Sequence, residues 1–162
     1  MDPSNAMLDH ARARIATAGL EERVTLRVGY ADDLPAGDRF DGATLLLVLH
    51  FLPDDGSKLT LLRAIAARLQ PGAPLVLADL HGEPGTPAFE ALFAAWRESL
   101  LLTGAEPDVV EAGIQAARGA IHFVSEPRLA ALLAEAGFTP PLRFWDALLY
   151  AGWICERRTS RR

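Results

Sequence analysis

Cysteine is nearly absent from this chain of 162 residues, where Cys155 stands alone. No internal disulfide can form, and no Cys/His grouping has zinc-ligand spacing, which suits a reducing compartment and makes the cytoplasm the expected location. Basic excess is missing too. With 16 Lys and Arg against 21 Asp and Glu, the formal charge is −5 and the pI about 5.3, leaving nothing to displace counterions along a phosphate backbone. Nucleic acid is therefore not an expected partner. The apolar stretch Ala43 to Leu49, interrupted by Thr44, falls far short of the ~20 residues that a bilayer span requires. Met1 to Asn5 carries no basic stretch leading into an apolar one, so neither a secretory signal nor membrane contact is expected. The one basic cluster, Arg157, Arg158, Arg161 and Arg162, reads as a solvated, frayed terminus.

What is present points to one folded domain spanning 1–162. Half of the residues are apolar and 23% are charged, and burial on that scale offsets the entropy of ordering the backbone. Met7, Leu8, Ala11, Ile15 and Ala18 recur at helical spacing between Ser4 and Gly19, the expected N-cap and C-terminal stop. Val24 to Val28 is β-branched and roughly alternating, which predicts a strand. Phe40 to Val48 is apolar almost without interruption, which predicts a strand covered on both faces. Leu59, Leu62, Ile65, Ala66 and Leu69 then repeat at helical spacing until Pro71-Gly72, and Leu75 to Ala78 reads as a second buried strand. Strand, helix, strand in this order is a βαβ unit.

From Pro87 the pattern becomes helical. Phe89, Leu92, Phe93, Trp96 and Leu100 form one stripe and Val109, Val110, Ile114 and Ala117 a second, implying a helical insertion over residues 86–122. Ser125 and Gly137 bracket another helix carrying Leu129, Leu132, Leu133 and Ala136. Leu142 to Cys155 has no room for a crossover helix, so its two strands should pair antiparallel. The aromatic residues Trp96, Phe123, Trp145, Tyr150 and Trp153 are expected mainly in the core.

Six short motifs occur in order. Asp2-Pro3-Ser4-Asn5-Ala6-Met7-Leu8 fits "D-x-S-x-x-M-L", and Gly29-Tyr30-Ala31-Asp32-Asp33-Leu34-Pro35 fits "G-D-A-x-x-L-P". Phe40-Asp41 opens a strand, Leu49-His50-Phe51-Leu52 fits "L-H-x-L", Leu69-Gln70-Pro71-Gly72 fits "L-x-P-G", and Ala136-Gly137-Phe138 fits "A-G-F". In this order and at these intervals the chain resembles the class I S-adenosylmethionine-dependent methyltransferases. The resemblance implies an α/β fold with a Rossmann-like sheet in the order 3-2-1-4-5-7-6 and a C-terminal antiparallel pair. It also exposes a gap, because the family's glycine-rich cofactor loop lies upstream of the acid that Asp2 matches. Strands 1 and 2 are thus expected to be absent. The chain then reads as an N-terminally shortened member, with Val24 to Val28 short of a sheet neighbour and Thr44 to Val48 left as an open edge prone to self-association.

The resemblance also assigns residues. Asp2 matches the acid that accepts hydrogen bonds from the cofactor's ribose hydroxyls, as a carboxylate's two oxygens allow. Pro3 and Met7 would offer apolar surface to the adenine, and the backbone N–H of Ala31 or Asp32 would read its edge. Tyr30 stands where the family usually has Asp, so stacking replaces a side-chain hydrogen bond, and Leu47 completes the cofactor-binding set. His50 is the candidate general base, at the carboxyl ends of the strands where open α/β sheets place ligands. Asp79 and His81 lie at the same rim and read as solvated loop residues. No metal ligand set is expected.

The implied reaction is methyl transfer from S-adenosylmethionine to a small-molecule acceptor, with residues 86–122 as a lid. Two alternatives stand beside it. Leu47 to Leu52 and the helical insertion are similar to the carboxy-S-adenosylmethionine synthases, although Ile114 falls where those enzymes carry an arginine. A noncatalytic domain acting by association is the other.

Overall fold

The computed structural model describes residues 1–35, 37 and 39–159, which form two compact units, residues 1–38 and 39–162. The first is built on helix α1 (Asn5–Ala18). Ser4 caps it as expected, its side-chain oxygen accepting the Met7 N–H at 3.3 Å. Gly19 ends it at φ 64, a left-handed conformation open to glycine, and donates its N–H to the Ala16 carbonyl.

Val24 to Val28 does not form the expected strand. One parallel bridge joins Val28 to Asp2, with the Asp2 N–H donated to Arg27 O and the Gly29 N–H to Asp2 O, both at 3.2 Å. A strand exists through its pairing, and Asp2 alone lies alongside to supply it, so β-propensity over five residues yields one bridge.

The second unit runs β1 (Ala43–Leu46), α2 (Ser57–Arg68), β2 (Pro74–Leu80), α3 (Pro87–Leu101), α4 (Pro107–Ala120), α5 (Glu126–Ala136), β3 (Leu142–Ala147) and β4 (Tyr150–Glu156). The sheet order is β1-β2-β4-β3, with β1 and β2 parallel and the β2–β4 and β3–β4 pairs antiparallel. This is the 4-5-7-6 part of the expected order, with β1 on the edge. The strand is shorter than the apolar run predicts. Phe40 makes an isolated bridge to Leu69, and Leu47 ends β1 by turning to φ 55.

Leu75, Leu77, Ala151, Trp153 and Cys155 face α2 and α5 and form the main core with Leu62, Leu69, Leu129, Leu132 and Leu133. A second cluster joins Leu80 and Leu149 to Phe89, Phe93, Val110 and Ile114 of the helical pair α3–α4. Trp153 is fully buried, and Trp96, Phe123 and Tyr150 pack against the second cluster, as expected of core aromatics; Trp145 is exposed. Only Leu45 of β1 is buried, so the expectation of a strand covered on both faces fails. The apolar run alone does not reveal that only the face of β1 bearing Leu45 joins the core.

The terminus is not frayed at Arg157 and Arg158. Arg157 donates its N–H to Ala73 O at 2.9 Å and accepts the Gly72 N–H at 2.8 Å, while its guanidinium reaches Leu69 O at 2.6 Å. Arg158 donates to Gly137 O at 2.9 Å. Arg161 and Arg162 lie outside the described residues. The Leu69 carbonyl sits just past the end of α2, where a cation complements the helix dipole. Replacing Arg157 with Ala should therefore lower stability by about 1 kcal/mol, read as a reduced urea midpoint with an unchanged m value.

Candidate active site

The polar centre of the second unit lies where β1 and β2 end. Leu47 adopts left-handed backbone, which is unusual for a side-chained residue, and donates its N–H to Ala78 O at 2.8 Å. The reversal aims the next two amides at the Asp79 carboxylate. Asp79 Oδ2 accepts the N–H groups of Leu49 at 2.6 Å and Val48 at 3.2 Å. Its Oδ1 accepts the Leu80 N–H at 2.7 Å and contacts His50 Nδ1 at 2.6 Å. Both side chains are buried.

Because Asp79 already accepts three backbone N–H groups, the network assigns it the ionised acceptor role and makes His50 Nδ1 the donor. In the neutral ring the lone pair then sits on Nε2. That nitrogen has no hydrogen-bond partner among the described residues and, unlike His81 Nε2, is not sealed from solvent. A carboxylate orienting an imidazole through Nδ1 is the arrangement of a general base. Asp79 therefore belongs to β2 and to the site, which corrects its reading as a solvated loop residue.

Lys58 had no sequence signal, since it sits within the helical pattern before Leu59. The structure buries it completely, with Nζ donating to Leu49 O at 2.6 Å and His122 O at 2.9 Å. His122 in turn donates its N–H to His50 O at 2.9 Å. The segment following α4 is thereby tied to the turn that carries His50. Burial pushes the Lys58 amine below its ordinary range, opposed by the nearby Asp79 and Asp54 carboxylates. A charge taken out of water is tolerated when it is hydrogen-bonded.

His81 is likewise no solvated loop residue. Its ring meets Trp153 edge-on at 5.2 Å, and its Nε2 is buried without a hydrogen-bond partner. Burial pushes its pKa below 6.5, with Asp146 and Glu126 opposing and Arg143 adding to the shift. Cys155 is buried, and burial raises its thiol to about 12, so it stays protonated and inert.

The residues expected to hold the cofactor lie in the first unit, Leu47 excepted. Asp2 Oδ1 accepts the Ser4 N–H at 2.7 Å, so one carboxylate oxygen is already engaged within its own turn and the other is left for a ligand. Tyr30 N–H bonds to Asp33 Oδ2 at 2.8 Å and shapes a short turn at Ala31–Asp33. The N–H groups of Ala31 and Asp32, at the start of that turn, have no partner among the described residues. Gly29 is required beside it, since a Cβ there would lie 2.7 Å from Asp33 Oδ2. Met7, Val28 and Tyr30 are exposed. An acid, two open amides and exposed apolar side chains form a donor set suited to the ribose and adenine of an adenosine group.

Among the described residues no cluster of His, Cys, Asp or Glu could hold a metal ion, and no helix is long and apolar enough to cross a membrane.

Residues 1–72 match the family model described as a methyltransferase domain. Solved structures with the same fold include an O-methyltransferase family protein from Burkholderia thailandensis. It is 20% identical with a TM-score of 0.66, over 99% of this chain and 43% of that one. Mitomycin 7-O-methyltransferase MmcR is 22% identical with a TM-score of 0.67, over 96% of this chain and 40% of its own. A possible exported protein from Bordetella parapertussis is 22% identical with a TM-score of 0.68, over 97% of this chain and 52% of its own. The chain thus spans about half or less of the length of these relatives, and the likeness to carboxy-S-adenosylmethionine synthases finds no support among them.

Two outcomes check the site. Lys58→Met leaves two buried carbonyls without a donor, at ~1–3 kcal/mol each, and should lower the stability measured by chemical denaturation by about 2 kcal/mol or more. His81, with its folded pKa depressed, holds fewer protons than the unfolded chain does below pH 6.5. Its contribution is present above that pH and is lost as pH falls through the folded pKa. In thermal melts the fall in Tm between neutral and acid pH should therefore be smaller for His81→Leu than for the parent chain.

Proposed function

We propose that this chain, whose first 72 residues match a methyltransferase domain and whose fold is shared with O-methyltransferases, is a class I S-adenosylmethionine-dependent methyltransferase that directs methyl transfer to a hydroxyl of a small molecule, with His50 as the general base. The reading rests on one observation: His50 Nδ1 is held 2.6 Å from Asp79 Oδ1. Two of its structural relatives, an O-methyltransferase family protein and mitomycin 7-O-methyltransferase, agree with a hydroxyl acceptor.

Asp2, the Ala31 and Asp32 amides, and the apolar side chains of Met7 and Tyr30 would hold the ribose and adenine. Bound S-adenosylmethionine supplies an electrophilic methyl group on a sulfonium. His50 Nε2 takes the proton of the acceptor hydroxyl as its oxygen becomes nucleophilic, and Asp79 stabilises the imidazolium that results. Alignment of the reacting atoms supplies much of the remaining acceleration. The α3–α4 pair, joined to the His50 turn through His122 and Lys58, would lid the acceptor and exclude water.

Titration calorimetry with S-adenosylhomocysteine tests the binding half of the proposal, and turnover of a panel of phenols and alcohols tests the chemistry. Binding is expected, weakened about tenfold or more in Asp2→Ala, where charge-assisted hydrogen bonds are lost. His50→Gln should retain binding and lose methyl transfer by about 10²-fold or more, the usual contribution of a positioned base. Binding without any loss in His50→Gln would remove the base from the mechanism. An absence of binding would favour a domain that acts by association.

A further inference from the structure

Two guanidinium ions meet on a single carbonyl just past the end of α2. Leu69 O accepts Arg39 Nη1 at 3.1 Å and Arg157 Nη1 at 2.6 Å, and Arg39 Nη1 also reaches Ala67 O at 3.5 Å. The first two distances together keep the charges inside the Debye length of ~8 Å at physiological salt, so they repel. One cation is enough to complement a helix end. Neither arginine forms an ion pair among the described residues. Like charges held on a neutral oxygen are balanced when an anion lies against both.

Arg157 also lines a groove of about 320 Å³ between the C-terminal ends of α2 and α5. Its floor is made of small residues, Ala66, Ala136 and Gly137, and its walls carry Arg63, Arg157 and Arg158, with no acid among the described lining residues. Two carboxylates stand nearby. Glu135 pairs with Arg63 at 3.0 Å, but more than half of each side chain is exposed, and an ion pair in water is weak and readily exchanged. Glu156 follows Cys155, which points into the core, so alternation along β4 turns Glu156 to the other face of the sheet and Arg157 back toward the groove. The backbones of Arg157 and Arg158 are tied to Ala73 O and Gly137 O, each at 2.9 Å, so both side chains start from fixed points.

We propose that this groove binds the diphosphate group of a small molecule, at a site separate from that of His50. Glu156 is level with Pro74 at the start of β2, and Asp79 stands five residues further along that strand, about 17 Å away. A carboxylate fills one guanidinium fork with its two oxygens. Three arginines on the walls, with Arg39 behind Arg157, offer more donors and more charge than that, and match oxygens spread over two tetrahedral phosphates. The volume falls at the lower end of the roughly 300–1,000 Å³ of small-molecule sites, which suits a ligand of that size. In a chain of formal charge −5, a local excess of arginine is also what lets such an anion approach.

Titration calorimetry of the full chain with inorganic pyrophosphate, and separately with a simple alkyl diphosphate, tests the proposal. At least one should bind with a dissociation constant below about 1 mM. Tighter binding of pyrophosphate marks the free ion as the ligand, and tighter binding of the ester marks an esterified one. Arg63→Ala and Arg158→Ala, both at exposed positions, should each weaken binding about tenfold with circular dichroism unchanged. Arg128→Ala, which removes an exposed arginine paired with Asp54 outside the groove, should leave it unaltered. No binding of either anion at 1 mM overturns the proposal. So does binding that neither groove variant weakens, or that Arg128→Ala weakens as much.

Discussion

The buried Asp79 carboxylate is the constraint on which the end of the sheet that carries His50 depends. A carboxylate out of water is tolerated only when its oxygens are filled. Here they are filled by the amides of Val48, Leu49 and Leu80 and by His50 Nδ1. Each partner is consequently fixed. Leu47 must turn to a left-handed backbone for the next two amides to converge, and the imidazole must present Nε2 outward. Lys58 reinforces the same turn from below through the Leu49 carbonyl. Such a network resists partial loss, because deleting one member leaves the others buried and unpaired.

How much of this was legible in the sequence follows from how local each feature is. Ser4, Gly19 and Gly137 stand at the helix ends that their chemistry predicts, and the periodicity of α2, α3, α4 and α5 survives into the structure, because both signals act within a few residues. The pairing of His50 with Asp79 crosses 29 residues and that of Lys58 with His122 crosses 64, and nothing in residue spacing announces either contact. Lys58 is the clearest case. A lysine at the start of an amphipathic helix reads as solvated, and only the second carbonyl, supplied by the segment after α4, explains its burial. Asp79 was hidden differently, since a strand is not expected to continue through an acidic residue unless its charge is satisfied.

Strand expectations failed where a neighbour decides the outcome. Val24 to Val28 has β-propensity and one pairing residue, Asp2, so it remains a bridge. Phe40 to Val48 has the composition of a strand buried on both sides, yet only Leu45 is buried. Composition reports what a segment can bury, whereas burial also needs something to pack against. In the first unit the residues of one motif form a turn, whose closure is local. Gly29, Tyr30 and Asp33 close on one another within five residues, and the free amides of Ala31 and Asp32 follow from that closure.

The exposed edge and the buried carboxylate are two sides of one arrangement. A central strand is held by ladders on both sides, so its C-terminal turn inherits a fixed position. β1 has a ladder on one side only, through four residues paired with β2, and the turn carrying His50 would be free to shift were it held by that ladder alone. Asp79, projecting from β2 under the turn, replaces the missing lateral restraint with three hydrogen bonds to the β1 exit, and Lys58 adds a fourth. The placement of His50 therefore depends on side chains of β2 and α2 more than on the strand that leads to it, and disturbance of β1 itself should reach the imidazole only where it breaks those bonds.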